Sequence, residues 1–163
     1  MQVEHAYEVE PRALFGVLTD PTFLAARGAR FGGTTPPTVH EDGGNTVVRT
    51  PRALPLDVVP GPLRRFAGDG TLVQVDEWAA VTGADVHGVW TADVGSVPMD
   101  LEGTHEITPH EGGCRYVVTA RVKVNVPVVG RAAQKTVDEH LGTLVRTELE
   151  FLAEWLRSGA AHA

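Results

Sequence analysis

Cysteine is nearly absent from this chain, which has 163 residues and a single thiol, Cys114. One cysteine cannot form a disulfide within the chain, so the small secreted scaffolds that disulfides hold together are excluded. The first ten residues, MQVEHAYEVE, hold three glutamates and no apolar run, unlike a signal peptide. We therefore expect a cytoplasmic protein. A catalytic thiol is not expected, because His110, its nearest histidine, is separated from Cys114 by a glycine-rich turn.

Long apolar runs and positive charge are also scarce. No segment is long and apolar enough to span a bilayer, so no integral membrane association is expected. The chain has 14 Lys and Arg against 21 Asp and Glu, a formal net charge of -7. Proteins that bind a phosphate backbone present a basic face, so nucleic acid is not an expected partner. An anionic membrane surface is disfavoured for the same reason.

Known catalytic signatures are missing as well. The sequence has no nucleophile elbow, phosphate loop or dinucleotide fingerprint. Its seven histidines lack the spacing of a metal site, which needs several ligands that converge in a set geometry. We therefore expect no metal and no cofactor.

The length and composition that remain are those of one soluble domain. A chain of 163 residues can bury a real core, and 42% hydrophobic with 21% charged residues is ordinary for a globular protein. We predict a single domain over residues 1–163, in which residues 158–163 form a frayed tail.

The last third of the sequence is the most informative part. From Cys114 to Val126 every second residue is apolar, which predicts a strand with one buried face. After Pro127 the apolar spacing changes to the helical period as far as Trp155. The stripe of this predicted helix consists of Val137, Leu141, Leu144, Val145, Leu149, Leu152, Trp155 and Leu156. A sheet folded around one long C-terminal helix is the arrangement that this order favours.

The preceding sequence supplies the rest of that sheet. Val3 to Val9 predicts a first strand, and two short helices follow, from Pro11 and over Thr22–Ala29. Asp42-Gly43-Gly44 is typical of a hairpin turn. The later predicted strands are Thr38–Glu41, Asn45–Thr50, Thr71–Thr82, Asp85–Val94, Met99–Thr108 and Cys114–Val126. Sequential antiparallel pairs predict an α+β fold with a curved antiparallel sheet of six or seven strands wrapped around the long helix.

The segment Leu54–Gly70 has three prolines, which keep it out of the sheet, and a possible helical turn at Leu63–Ala67. Its apolar residues need cover, so it should lie against the rest of the protein. We predict that Leu63 and Phe66 form a lid over a bound ligand. The alternative is a static loop that covers the edge of the sheet.

Three stretches resemble a known superfamily: AYEVEPRALFGVLTDPTFLAA, PGPLRRFAGDGTLVQVDEWAA and VKVNVPVVGRAAQKTVDEHLGTLVRTELEFLAEWL. The chain resembles the START/Bet v 1-like superfamily, also called SRPBCC, and within it an uncharacterised actinobacterial branch. The resemblance implies a helix-grip fold with an elongated, mostly apolar cavity. The superfamily includes lipid and sterol carriers, hormone receptors, and polyketide cyclases and aromatases, so the resemblance transfers no catalytic residue.

Four polar side chains lie on strand faces that we predict to be inward: His5, Tyr7, His105 and Tyr116. A few polar groups in an apolar cavity are typical of a small-molecule site. Each can equally be a core residue whose polar atom bonds to the backbone. The sequence leaves both alternatives open.

Trp78 and Trp90 lie on neighbouring predicted strands and can either stack on a flat ligand or pack in the core. The face of Trp78 is ambiguous, because Val73 and Val75 lie on the opposite one. If Trp78 points outward, Glu77 points inward and becomes a candidate acid or base with a raised pKa. If Trp78 points inward, Glu77 is a solvated charge.

The functional hypothesis is the binding or carrying of a hydrophobic or amphipathic small molecule, lipid or polyketide-like, between the sheet and the C-terminal helix. The cavity candidates are His5, Tyr7, Trp78, Trp90, Leu101, His105, Tyr116, Val118, Leu141, Leu144 and Val145. A first alternative is a polyketide cyclase or aromatase-like lyase in which His5, Glu77, His105 or Tyr116 moves protons. A second is a protein with a filled core and a role in protein partnership or stress. Either a monomer or a homodimer is compatible with the sequence.

Overall fold

The computed structural model describes residues 1–57, 59–127 and 130–159. In chain order the elements are β1 (Gln2–Tyr7), α1 (Pro11–Leu18), α2 (Pro21–Arg30), β2 (Thr38–Asp42), β3 (Asn45–Ala53), α3 (Gly61–Arg64), β4 (Thr71–Trp78), β5 (Val86–Asp93), β6 (Met99–His110), β7 (Gly113–Val124) and α4 (Gly130–Arg157). The predicted α+β helix-grip fold is confirmed, with two short helices after the first strand and one long helix at the end.

The seven strands in the described part of the chain form one antiparallel sheet with the order β1-β7-β6-β5-β4-β3-β2. Strands β2 to β7 follow one another as a meander, and β1 pairs with β7. The predicted hairpin between β2 and β3 is confirmed, and Gly43 and Gly44 both have positive φ, 58° and 91°. Glycine adopts this conformation without a steric penalty, which is why the turn is built from glycines.

Asp20 lies between the two short helices and caps the start of the second. Its carboxylate accepts hydrogen bonds from the backbone N–H groups of Thr22, at 2.8 Å, and Phe23, at 3.1 Å. This is an N-cap, which satisfies donors that the first turn of a helix leaves free. The α2 helix buries a face that includes Phe23, Leu24 and Arg27, and the Phe23 ring packs against α4.

Two hydrophobic clusters join the sheet to the helices. The first includes Leu14, Phe23, Trp78, Ile107 and Leu152, and it links α1, α2 and the C-terminal part of α4 to the sheet. The second includes Leu63, Val97, Val122, Ala133 and Val137, and it links the segment around α3 and the N-terminal part of α4 to the sheet. The middle of α4 lies between these clusters, so the fold is packed at both ends of the helix.

Some predicted boundaries differ from the structure. The turn expected at Leu63–Ala67 is α3 and begins earlier, at Gly61, because Pro62 has the fixed φ that suits the first turn of a helix. Strand β7 ends at Val124, two residues before the predicted end. Residues 128–129 and 160–163 lie outside the described residues. The second of these ranges makes up most of the predicted tail, 158–163.

Candidate functional site

Two adjoining cavities lie between the concave face of the sheet and the middle of α4. The inner cavity has a volume of about 110 Å³ and reaches toward α2 and Glu148. The outer cavity has a volume of about 640 Å³ and reaches toward the segment before α3. Four leucines line both cavities and mark their boundary: Leu72, Leu101, Leu141 and Leu144.

The inner cavity is apolar along most of its wall and polar at one end. Eight of the predicted cavity residues line it: Trp90, Leu101, His105, Tyr116, Val118, Leu141, Leu144 and Val145. Six polar side chains lie in the wall: Arg27, Arg52, Gln74, His105, Tyr116 and Glu148. Two of these six, His105 and Tyr116, were predicted from the sequence.

The outer cavity is lined mostly by apolar side chains. Leu54, Pro55 and Val59, from the segment that precedes α3, form part of its wall, and Met99 and Val137 form another part. The two residues predicted as a lid, Leu63 and Phe66, belong to the same segment but line neither cavity. Leu63 is fully buried in the second hydrophobic cluster, and Phe66 packs against that cluster.

A chain of hydrogen bonds connects Asp76, His105 and Tyr116 next to the inner cavity. His105 Nε2 lies 2.9 Å from Asp76 Oδ1, and Gln74 donates to the same oxygen at 2.8 Å. The hydroxyl of Tyr116 lies 2.8 Å from His105 Nδ1. A neutral imidazole has one donor and one acceptor, so donation from Nε2 to the carboxylate leaves Nδ1 to accept from Tyr116.

The surroundings of this hydrogen-bonded chain favour an ionised Asp76. Burial acts to raise the pKa of Asp76, but the hydrogen bond from His105, the positive charge of Arg27 and the hydrogen bond from Gln74 hold it below its ordinary value. Burial and the charge of Asp76 raise the pKa of Tyr116 well above that of a free phenol. Tyr116 is therefore a neutral proton donor at physiological pH.

Arg52 and Glu148 form a buried ion pair that joins β3 to α4. Nη1 of Arg52 bonds to Oε1 of Glu148, and Nη2 lies 3.3 Å from Oε2, so the contact has two arms. Burial acts to raise the pKa of Glu148, but the positive charges of Arg52 and Arg27 lower it below its ordinary value. Both partners are therefore charged, as a bidentate pair requires.

Arg27 is the third charged side chain of the inner wall and has few partners. It is 9% exposed, and its Nη2 donates to Thr50 Oγ1 at 3.3 Å. Its Nε is buried without a hydrogen-bond partner among the described residues. Arg27 also forms no ion pair in the described part of the chain.

The structure settles which face of β4 carries Trp78. Trp78 points inward and is 2% exposed, with its ring in edge contact with Phe15 at 5.6 Å. Glu77 points outward into solvent and accepts a hydrogen bond from Asn45 at 2.8 Å. The alternative in which Glu77 is the cavity acid is therefore wrong, and the inward carboxylate of this strand is Asp76. Trp78 does not line either cavity; it packs behind His105.

His5 and Tyr7 lie on the inward face of β1 but line neither cavity. The Tyr7 hydroxyl donates to the backbone carbonyl of Leu149 at 2.9 Å, which ties β1 to α4. The half-buried His5 ring packs on Tyr7 with centroids 4.5 Å apart. Burial, with a smaller contribution from Cys114, raises the pKa of Tyr7 far above its ordinary value. The polar atom of Tyr7 thus meets a backbone group, as a core residue requires.

The remaining candidate groups give no reactive or metal-binding arrangement. Burial and the charge of Glu10 raise the pKa of Cys114 to about 11, so its thiol is protonated at neutral pH. Within the described ranges, no three His, Cys, Asp or Glu side chains are grouped closely enough to hold a metal ion. Among the same residues, none of the helices combines the length and the hydropathy needed to cross a membrane.

Five wall and network residues were missed from the sequence: Arg27, Arg52, Gln74, Asp76 and Glu148. Two of them had a detectable signal in the helical period. Glu148 lies four residues after Leu144 and falls within the apolar stripe of α4, and Arg27 lies four after Phe23 on the buried face of α2. A charged residue in an apolar stripe indicates a buried partner or a polar site.

Comparison with known proteins places this arrangement in a family and a fold. An uncharacterized protein of Mycobacterium tuberculosis is 26% identical over 122 residues, which is 71% of this chain and 68% of that protein. An uncharacterized protein of Mycobacterium bovis matches to the same extent.

Solved structures match over nearly the whole chain at low identity. A protein from Thermus thermophilus, TTHA0849, has a TM-score of 0.62 at 16% identity and covers 98% of this chain and 97% of its own. The Zhui aromatase/cyclase from a Streptomyces species has a TM-score of 0.62 at 12% identity, with 98% and 95% covered. Human STARD10 has a TM-score of 0.58 at 12% identity, with 99% and 66% covered. These likenesses show the fold.

The helix-grip fold that the resemblance to the START/Bet v 1-like superfamily implied is thereby confirmed. A family model described as "Protein of unknown function (DUF2505)" matches residues 2–156 of the sequence. Because that match extends over almost the whole helix-grip domain, the chain belongs to the DUF2505 family.

Proposed function

We propose that this protein binds, and thereby carries or shields, one hydrophobic or amphipathic small molecule of the lipid or polyketide type. The observation that carries the proposal is the pair of adjoining cavities between the sheet and α4, apolar along most of their walls and polar at the inner end. Apolar pockets with a few converging polar groups are the usual form of small-molecule sites.

The size of the space supports a ligand over a filled core. Well-packed interiors contain few voids larger than a water molecule. The inner cavity, at about 110 Å³, exceeds that size. The outer cavity is a cleft that opens to solvent beside Glu139 and His140, and its volume of about 640 Å³ lies within the roughly 300–1,000 Å³ of common ligand pockets. The alternative of a core filled by side chains is therefore the weakest of the three hypotheses.

Burial of the apolar part of the ligand would supply most of the affinity. Each square ångström of apolar surface removed from water contributes roughly 25 cal/mol before the costs of ordering. The polar end of the inner cavity would then fix the direction in which the ligand enters. Solved structures with this fold include an aromatase/cyclase and human STARD10, which supports cyclic or chain-like hydrophobic molecules as candidates.

The hydrogen-bonded chain of Asp76, His105 and Tyr116 favours a second candidate function, a lyase or cyclase that acts on such a molecule. The carboxylate of Asp76 would hold the imidazole in one tautomer and stabilise its protonated form. Tyr116 lines the cavity and would donate its proton to a substrate oxygen, while a protonated His105 returns a proton from Nδ1 to the tyrosine oxygen and becomes neutral. A His105→Gln variant separates the two functions, since a carrier retains its ligand unchanged and an enzyme loses conversion.

Native mass spectrometry of the protein purified from its own host tests the proposal directly. We expect a mass increment that disappears on denaturation. Leu144→Trp, which fills the boundary between the cavities, should abolish the increment. Arg146→Trp is the matched control, because Arg146 is exposed on the same helix and lines neither cavity. A wild-type protein that retains no molecule, and binds none from a panel of fatty acids, alcohols and aromatic polyketides, would contradict it.

A further inference from the structure

We propose that the ligand has a single carboxylate at one end, that this group binds Arg27 in the inner cavity, and that the apolar remainder passes the four boundary leucines into the outer cavity. The proposal rests on the function proposed above and adds the chemical class and the direction of the ligand. It follows from four observations on the described residues.

The first observation is that Arg27 is buried with unused donors. A guanidinium has five N–H donors, and Arg27 makes one hydrogen bond, to Thr50. Its Nε is fully shielded from solvent and has no partner among the residues that the structure describes. Buried donors are nearly always satisfied, because an unpaired one loses its bond to water without replacement. Nη1 of Arg27 also has no hydrogen bond in the described part of the chain, and it is not fully buried, so an acceptor atom of a ligand in the inner cavity would bond to it.

The second observation is that the other charges of the wall are already paired. Glu148 is held by both arms of Arg52, and Asp76 accepts from His105 and Gln74. Arg27 influences both carboxylates across a distance, since its charge lowers their pKa values, but it contacts neither. In the described part of the wall, Arg27 is therefore the cation that still lacks an anion in contact.

The third observation is the size of the inner cavity. At about 110 Å³ it has room for several water molecules, which is on the order of one small head group with its first methylenes. A carboxylate is planar and pairs with a guanidinium through two parallel hydrogen bonds. A phosphate is larger and would bring up to two negative charges beside Glu148, so a single carboxylate fits this space and charge better.

The fourth observation indicates which end of the ligand lies in which cavity. The described wall of the outer cavity contains no Lys or Arg, and it contains an acidic residue, Glu139. A carboxylate that remained in the outer cavity would meet no Lys or Arg side chain of the described wall, whose ionisable residues, Glu139 and His140, are exposed to water. The head group therefore belongs at Arg27 and the chain in the apolar outer cavity, where Leu54, Val59 and Met99 contact it.

Isothermal titration calorimetry with two matched probes tests this assignment: decanoate, and 1-decanol, which has the same chain without the charge. The wild-type protein should bind decanoate at least about tenfold more tightly, as expected for a charge-assisted contact in a buried site. Arg27→Met should remove most of that preference and leave the affinity for 1-decanol within about twofold. Arg30→Met, an exposed arginine at the end of the same helix, should behave as wild type.

The outcomes separate this inference from the proposed function. Equal affinity of the wild type for both probes, or a preference that survives in Arg27→Met, overturns the carboxylate assignment and leaves the binding function standing. Binding of neither probe by the wild type argues against the binding function, and the assignment falls with it. If Arg27→Met does not fold, Arg27→Gln, which keeps hydrogen-bond donors without the charge, replaces it, and a preference that survives in that variant equally overturns the assignment.

Discussion

The indole ring of Trp78 lies flat on the imidazole of His105, with ring centroids 4.6 Å apart and planes 16° from parallel. This stacking fixes the plane of His105 from behind, while Asp76 and Tyr116 hold its two nitrogens in that plane. The imidazole is thus held at one ring face and at both nitrogens. A histidine so held keeps one tautomer, and the buried charges around it make the protein sensitive to pH.

We predict that the stability of the protein falls steeply at acid pH because of Asp76 and Glu148. Both carboxyl groups have lower pKa values in the folded protein than their ordinary values of 3.8 and 4.5. Their ionised forms therefore stabilise the fold at pH values above those ordinary values. This stabilisation is lost as the pH falls through the lower folded-state pKa values, since the unfolded chain binds protons first.

Urea unfolding at several pH values between about 3 and about 7 measures this dependence. Glu148→Gln should flatten the acid limb of the curve, because one of the two groups then takes up no proton. Glu150→Gln, at an exposed position on the same helix, is the control and should keep the wild-type slope. An unchanged slope in Glu148→Gln would show that the pair with Arg52 does not favour the ionised form.

Leu144 and Leu152 should differ in their contribution to stability although both lie on the stripe of α4. Leu152 is 1% exposed in the first hydrophobic cluster, so Leu152→Ala should cost about 2–5 kcal/mol. Leu144 lines both cavities and is half-buried, so Leu144→Ala enlarges an existing space and should cost less. Chemical denaturation of the two variants gives the comparison, and equal losses would indicate that the boundary leucines are tightly packed.

Gly103 is required for the position of Trp90 in the cavity wall. A Cβ at Gly103 would overlap the carbonyl of Thr119 and the indole of Trp90, which donates to that carbonyl at 3.0 Å. We predict that Gly103→Ala destabilises the protein by more than about 1 kcal/mol and displaces Trp90. Near-UV circular dichroism reports the change at the indole. Gly16→Ala is the control, because nothing lies within 4 Å of its added Cβ, and alanine there should be neutral or stabilising.

The architecture was predictable from the sequence because its signals are periodic. Alternation over Cys114–Val126 and the helical spacing beyond Pro127 predicted β7 and α4 to within a few residues. These elements bury a continuous apolar face, and such a face is visible in any single sequence.

The polar end of the inner cavity was not predictable, because there the inward face of a strand carries polar residues, whereas alternation predicts apolar ones. On β4 the inward residues include Gln74 and Asp76, and the valines Val73 and Val75 lie on the outer face. Alternation alone assigns the valines to the core, which would place Asp76 on the solvent side of the strand. Only the register of the sheet, which runs through β4 without a bulge, places Asp76 opposite Trp90 and next to His105.

The segment over residues 54–70 remains a predicted entrance, and its two ends are anchored differently. Leu54, Pro55 and Val59 line the outer cavity, while Leu63 is fully buried and Arg64 donates to the carbonyl of Val59 at 3.0 Å. Access to the outer cavity would therefore need movement of the part before α3, with α3 as the fixed end. Hydrogen exchange with and without bound 1-decanol measures this movement. Protection should rise more in residues 54–60 than in β1, which lines neither cavity. An equal change in both segments would assign residues 54–70 the role of a static connector at the edge of the sheet.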